Sequence, residues 1–249
     1  QHYSMGGVRT NKDGAAYGLN GLYAAGEAAC WDMHGFNRLG GNSLSETIVA
    51  GRIVGAKIVE FLQGHESVFS TAAMRDAESQ VKSRIAALFR GGKENCFTLR
   101  NAMQDVMMEH VGIFRNGPDL EKGVEKLQAL LERCKNIGLS GTSTSGFSPE
   151  ISTALRMPGM IKLALCTAYG ALMRTESRGA HTREDFPERN DQLWLNRTLA
   201  HWKEGETLPT LSYESATPWY EIPPGERGYG GGKIIAAEIS PSMIKKQGA

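Results

Sequence analysis

The sequence has little that would tie it to a metal, a nucleic acid or a bilayer. Its four cysteines, Cys30, Cys96, Cys134 and Cys166, are scattered with no C-x-x-C pair. That spacing argues against a zinc site or a disulfide framework and fits reduced thiols in a cytoplasmic protein. A formal net charge of +1 offers no long-range attraction for nucleic acid, and no zinc-finger or RNA-binding pattern offsets this. The most apolar helical stretch, Ser43 to Leu62, is interrupted by Glu46, Arg52, Lys57 and Glu60 and cannot span a bilayer, so any membrane association has to come through partners. What remains is a chain of 249 residues, 41% of them hydrophobic. That is enough to bury a core in one or two domains.

The most informative segment is CWDMHGFNRLGGNSLSE, Cys30 to Glu46. It sets Arg38 in a loop with Gly35, Gly40 and Gly41, immediately before a helix. The guanidinium is a rigid fork of donors suited to a carboxylate or phosphate, and the glycines let backbone approach a ligand closely. Ser43 and Glu46 have the Ser-x-x-Glu spacing of a capping box, which predicts a helix start near Asn42 or Ser43 with outward-pointing, partly positive amides. Upstream, HYSMGG brings His2 as a second anion ligand. GLYAAGE, Gly21 to Glu27, reads as a short buried strand ending in a carboxylate, a common ribose holder.

These three pieces, together with RTESRGAHTREDFPERND at Arg174 to Asp191, resemble the flavoprotein subunit of the fumarate reductase and succinate dehydrogenase family, from the first residue to about Leu211. The wording WDMHGFNRLGGNS is most similar to the quinone-linked bacterial fumarate reductases. The resemblance implies an FAD enzyme that interconverts fumarate and succinate and exchanges electrons with an iron–sulfur subunit and, through membrane anchor subunits, a quinone. It would then lie on the cytoplasmic face of the inner membrane. His2 and Arg38 are implied as substrate ligands. Glu27 would accept hydrogen bonds from FAD hydroxyls, and the Ser43 and Leu44 amides would face the flavin pyrimidine edge, with Asn37 as a further cofactor contact. His34 and Asn42 are weaker pocket-lining candidates. The family's proton donor is an Arg outside this sequence, so no catalytic residue is expected here. An L-aspartate oxidase, with the same His and Arg holding amino-acid carboxylates, is the rival enzyme reading. A non-catalytic helical docking module is the rival for the chain itself.

Such flavoproteins bind the FAD pyrophosphate at a G-x-G-x-x-G between strand and helix, and none occurs before a helix here. Gly228 and Gly230 to Gly232 read as a turn. The chain is therefore expected to be the C-terminal portion of a longer subunit and not to retain FAD by itself. The fold class expected is α+β. Residues 1–65 are read as the end of an FAD-binding α/β domain, 66–200 as a mainly helical bundle, and 201–249 as an irregular tail with short strands.

Within the first part, NKDG at Asn11 to Gly14 predicts a reversal. Leu44, Ile48, Ile53, Val54, Ile58, Phe61 and Leu62 predict the apolar face of the following helix, capped at Gly64. Gly51 and Gly55 inside that helix imply close packing of another backbone, for which the nucleotide-binding sheet is the candidate. Amphipathic helices are predicted over Thr71 to Phe89, Glu94 to Val111 and Pro118 to Ile137. A fourth, Glu150 to Met173, should break or kink at Pro158. Met103, Met107 and Met108 read as bundle filling, and GLSGTSTSG as a flexible loop. TLPTLSYE and GGKIIAAEI read as short strands. The dense alternation of Arg174, Glu176, Arg178, His181, Arg183, Glu184, Asp185 and Arg189 predicts an ion-paired structural network rather than an acid–base site.

Overall fold

A computed structural model describes residues 5–35, 37–65, 70–141 and 148–215. The chain divides into two compact units, Gln1–Arg75 and Asp76–Ala249.

In the first unit β1 (Val8–Arg9) pairs in parallel with β2 (Ala29–Cys30). The predicted reversal forms between them: Asn11 Oδ1 accepts from the Asp13 and Ala15 amides at 2.9 and 3.1 Å, and bridges join Thr10 to Ala16 and Ala15 to Tyr23. Asn11 thus supplies the side-chain turn that Asn favours. Gly14, at φ 76°, closes it. A Cβ on Gly14 would stand 2.1 Å from Val54 Cγ2, so only glycine lets the helix approach this turn.

That helix is α1 (Asn42–Gly64), beginning where predicted, but of the expected apolar face only Val54 is fully buried. Its buried residues are Glu46, Ala50 and Val54, one every four positions, whereas Leu44 and Ile48 are over 70% exposed. A Cβ at Gly51 or Gly55 would meet nothing within 4 Å, so no described residue packs there. At the far end His65 Nδ1 lies 2.9 Å from the Phe61 carbonyl, with the two rings stacked. GLYAAGE is not a buried strand. Leu22 is exposed, only Tyr23 makes a bridge, and Glu27 sits in a 3-10 turn, Gly26–Ala28. Paired strand comes after the carboxylate, in β2.

The second unit is mainly helical. Its long helices are α2 (Thr71–Phe89), which begins in the first unit, α3 (Cys96–His110), α4 (Gly117–Arg133) and α5 (Pro149–Met173). Their starts follow from side-chain caps. Asn95 accepts from the Phe97 and Thr98 amides, Asn116 from Asp119, and Ser148 from Ile151. Pro118 and Pro149 sit in first turns, where their missing N–H is not needed. Leu99, Leu120, Leu127, Met157, Ile161 and Leu165, each 0% exposed, form the centre where α3, α4 and α5 meet. Leu130 is buried on α4, and Leu131 beside it packs half-buried against the same core.

Of the methionines Met103 is core, Met107 is half-buried and Met108 is 77% exposed, so only part of the run fills the bundle. Helix α2 buries no residue, although Leu88 near its end packs against the core. Helix α5 runs unbroken through Pro158. Arg84 Nη2 donates to the Leu155 carbonyl at 3.3 Å, three residues before that proline. Strands β5 (Asn196–His201) and β6 (Thr210–Ser215) then form an antiparallel hairpin; β6 lies in the predicted TLPTLSYE strand, and β5 was not foreseen. Most of GLSGTSTSG, the glycines after Gly228 and GGKIIAAEI lie outside the described residues.

The alternating charges after α5 build the predicted network. Glu176 is fully buried and accepts from Arg174 Nη1 (2.6 Å), Arg178 Nε (2.7 Å) and the Asn190 amide (2.8 Å). Burial alone would raise its pKa, but these donors hold it below the usual carboxylate value. Arg183 Nη1 donates to the Ala171, Leu172 and Arg174 carbonyls, putting a cation on the C-terminal end of α5, while Nε and Nη2 grip Asp185 at 2.8 Å. Those bonds hold Asp185 at about 2. Parallel pairing of β3 (Phe114–Arg115) with β4 (Thr182–Arg183) brings Arg115 Nη1 within 2.9 Å of His181 Nδ1. His181 Nε2 donates to the Arg174 carbonyl. Burial pushes His181 down to about 4, with the surrounding arginine charges adding to the shift.

Two outcomes follow for this unit. Leu127→Ala should lower its unfolding free energy by about 2–5 kcal/mol in urea titrations, whereas Met108→Ala should change it by about 0.5 kcal/mol or less. His181 binds a proton near 6.5 when unfolded but only near 4 when folded. Stability should therefore fall as pH drops from about 6.5 towards 4, by up to about 3 kcal/mol. Ring NMR of His181 should show no titration until about pH 4, and a midpoint near 6.5 would contradict the assigned hydrogen bonds.

Candidate functional site

The loop between β2 and α1 gathers a buried ionic cluster. Arg38 is 5% exposed, and its Nη1 lies 3.3 Å from Glu46 Oε2 and donates a long 3.5 Å bond to Ser43 Oγ. The same Glu46 Oε2 lies 2.9 Å from His34 Nε2. A buried carboxylate shared by a guanidinium and an imidazole is a stable arrangement only because each charge has a partner. Glu46 Oε1 has no hydrogen-bond partner among the described residues.

Glu46 therefore does not close a capping box. The N-cap is Gly41, at φ 81°, and no side chain caps the helix. Ser45 and Thr47 hydroxyls instead donate to the Gly41 and Ser43 carbonyls. The Ser43 and Leu44 amides make no hydrogen bond among the described residues. A helix start of this kind presents bare, partly positive N–H groups to an electron-rich ligand edge.

The other predicted site residues are distributed unevenly. Glu27 is exposed on its 3-10 turn, directly before β2, and Asn37 and Asn42 are exposed on the loop and the helix start. Ser43 is half-buried beneath Arg38, and Leu44 is 73% exposed. His2 lies outside the described residues. His34, a weak candidate by sequence, joins Arg38 on a common anion. Glu46 was misassigned by sequence. The signal that points to it is helical phase, because an acid spaced four and eight residues before Ala50 and Val54 falls on the buried stripe. Among the described residues no group of His, Cys, Asp and Glu could hold a metal ion, and no helix is long and apolar enough to cross a membrane.

Comparison with known proteins adds a lineage to this geometry. A family model described as fumarate reductase flavoprotein C-term matches residues 100–229, and an FAD binding domain model matches residues 1–44. The chain is 48% identical over 233 residues to the fumarate reductase flavoprotein subunit of Helicobacter pylori, covering 92% of this chain and 32% of that protein. It is 39% identical over 236 residues to the corresponding subunit of Mycobacterium tuberculosis, covering 92% and 40%.

Among solved structures, the FrdA chain of Escherichia coli quinol fumarate reductase superposes with a TM-score of 0.79 at 33% identity, covering 93% of this chain and 39% of that one. Sdh1 of Mycobacterium smegmatis gives 0.73 at 35%, covering 85% and 35%. Adenylylsulfate reductase of Archaeoglobus fulgidus, at 18% identity and a TM-score of 0.58, shares the fold alone. The chain spans 32% to 40% of the length of the curated relatives named. Because the C-terminal family model covers more than half of its 249 residues, the chain belongs to the fumarate reductase flavoprotein C-terminal family.

Proposed function

We propose that this chain is part of an FAD-dependent flavoprotein subunit that interconverts fumarate and succinate, with Arg38 as a ligand of the substrate dicarboxylate. The observation that carries the reading is the buried, Glu46-anchored Arg38, set in a glycine-bearing loop directly before the uncapped start of α1. A structural ion pair and a ligand role are compatible. A guanidinium is a planar fork of five N–H donors, and its Nη1 faces both Glu46 Oε2 and Ser43 Oγ. Pinning by Glu46 is what a bidentate clamp needs, since an Arg free to swing would lose orientation on every encounter.

The residues present fit FAD at two points. The Ser43 and Leu44 amides, bare at a helix start, suit an electron-rich ring edge, and the exposed Glu27 carboxylate can accept hydrogen bonds from ribityl or ribose hydroxyls. Asn37, exposed on the loop, adds a polar contact. When bound, FAD supplies the hydride chemistry between its ring and the alkene. Arg38 binds one substrate carboxylate and stabilises the negative charge that develops as the double bond is reduced. His2, by its place in the sequence, is proposed to hold the dicarboxylate alongside Arg38.

Electrons are proposed to pass to or from an iron–sulfur subunit and, through membrane anchor subunits, a quinone, with this subunit peripheral on the cytoplasmic face. The helical unit then serves as the support on which the iron–sulfur partner docks. Its outward apolar residues Met108, Ile113 and Phe114 cluster around the end of α3 and suit that role.

In the complete subunit, Arg38→Lys should lower fumarate turnover by about a hundredfold or more while leaving FAD absorbance nearly intact, because a point-charge ammonium cannot reproduce the clamp. Fumarate-dependent oxidation of a reduced dye measures the first and the flavin spectrum the second. Normal turnover with lost flavin would make Arg38 a cofactor ligand instead.

A further inference from the structure

We propose that Glu46 is a positioning residue for the substrate arginine: the fixed anionic post to which the Cys30-to-Gly41 loop is tied through both Arg38 and His34. The inference rests on the reading of Arg38 as the substrate ligand and assigns a role to a residue whose sequence context points only to helix capping.

The argument begins with what is rigid. Glu46 projects from the second turn of α1, on the same face as Ala50 and Val54, which are 4% and 7% exposed. Val54 is packed so closely under the Asn11-to-Gly14 turn that a Cβ at Gly14 would overlap it. The backbone beneath Glu46 is thereby held by the same face of the same helix. Arg38 and His34 stand on irregular backbone: among the described residues of 31–41 there is no strand or helix, and the segment passes through positive φ at Asp32, Gly35 and Gly41. Both side chains reach one carboxylate oxygen, Oε2, at 3.3 and 2.9 Å.

The carboxylate is itself 3% exposed, so the contact is not screened as a surface pair would be. Without the negative charge, the charge-assisted contact from Arg38 Nη1 to Oε2 is lost at a nearly buried position, and the guanidinium is no longer aimed by it. Glu46 therefore acts through Arg38 and His34, with no contact to the reacting atoms required.

A double-mutant cycle in the complete flavoprotein subunit tests this. Glu46→Gln keeps the side chain's shape and removes its charge, and it should cut fumarate turnover about ten- to a hundredfold while FAD content stays near stoichiometric. Glu46→Asp, which keeps the charge, should recover part of that loss. If Glu46 works through Arg38, adding Glu46→Gln to Arg38→Lys should reduce turnover by less than about twofold beyond Arg38→Lys alone. A purely structural glutamate would give losses that multiply, and that result overturns the proposal. If Glu46→Gln does not assemble with flavin, the same cycle with Glu46→Asp decides between the same two outcomes. If Arg38→Lys alone leaves turnover intact, the substrate assignment of Arg38 fails and the role of Glu46 falls with it. A failed cycle with a damaging Arg38→Lys removes only Glu46. The crystal structure of the Glu46→Gln variant gives a readout apart from activity: Arg38 and His34 should leave their wild-type positions, and unchanged positions count against the anchor.

Discussion

A guanidinium taken out of water has to be met by an anion, and this constraint organises the loop before α1 and the segment that follows α5. Arg38, 5% exposed, is met by Glu46, and Arg183, 2% exposed, by Asp185 and three carbonyls at the end of α5. Glu176 is the reverse case, a fully buried carboxylate held between Arg174 and Arg178. Removing one partner from such a pair strands a charge and costs on the order of 3–5 kcal/mol, so these contacts fix irregular backbone that no ladder or helix holds. After α5 the result is a sealed structural knot. Before α1 it is an arginine immobilised next to an uncapped helix start.

The same constraint explains why α1 carries its apolar residues where it does. The face towards its own unit is given to Glu46, Ala50 and Val54, small or ionic residues that fit under the Asn11-to-Gly14 turn and behind the arginine loop. The other face, with Leu44, Ile48, Gly51, Gly55 and Val59 in helical register, is exposed, and its glycines have open space around them. Glycine inside a helix is costly unless something comes close. An FAD binding domain model matches residues 1–44, and the relatives named are two to three times as long as this chain.

Much of this was legible in the sequence because local chemistry and tertiary structure agreed. The helices expected from Glu94, Pro118 and Glu150 form as α3, α4 and α5, with Asn95, Asn116 and Ser148 capping their starts. Asn11 and Gly14 announce the turn and close it. The alternating charges from Arg174 to Arg189 announce a network that forms. The failures are places where a local signal lost to a tertiary one. Ser43 and Glu46 have capping-box spacing, but a buried Arg outcompetes an amide for the carboxylate. Pro158 should interrupt α5, yet Ile161 and Leu165 beyond it are buried in the core, and the helix continues through to reach them. GLYAAGE is apolar enough for a strand, but its pairing is confined to a single bridge at Tyr23 and the backbone bonds of Leu22 and Ala24 on either side. Periodicity chose Leu44 and Ile48 for the inner face of α1 because they are apolar. The phase that sets Glu46 four and eight residues before Ala50 and Val54 was the competing signal.

The central claim is that an arginine pinned by its own carboxylate is the group that receives the substrate. The crystal structure of the complete, FAD-loaded subunit with a bound dicarboxylate such as fumarate or malonate tests it most directly. The account predicts a ligand carboxylate within about 3 Å of the Arg38 guanidinium, with Glu46 still in contact with Arg38 and His34. A dicarboxylate bound elsewhere, or an Arg38 that abandons Glu46 to reach it, would contradict the account.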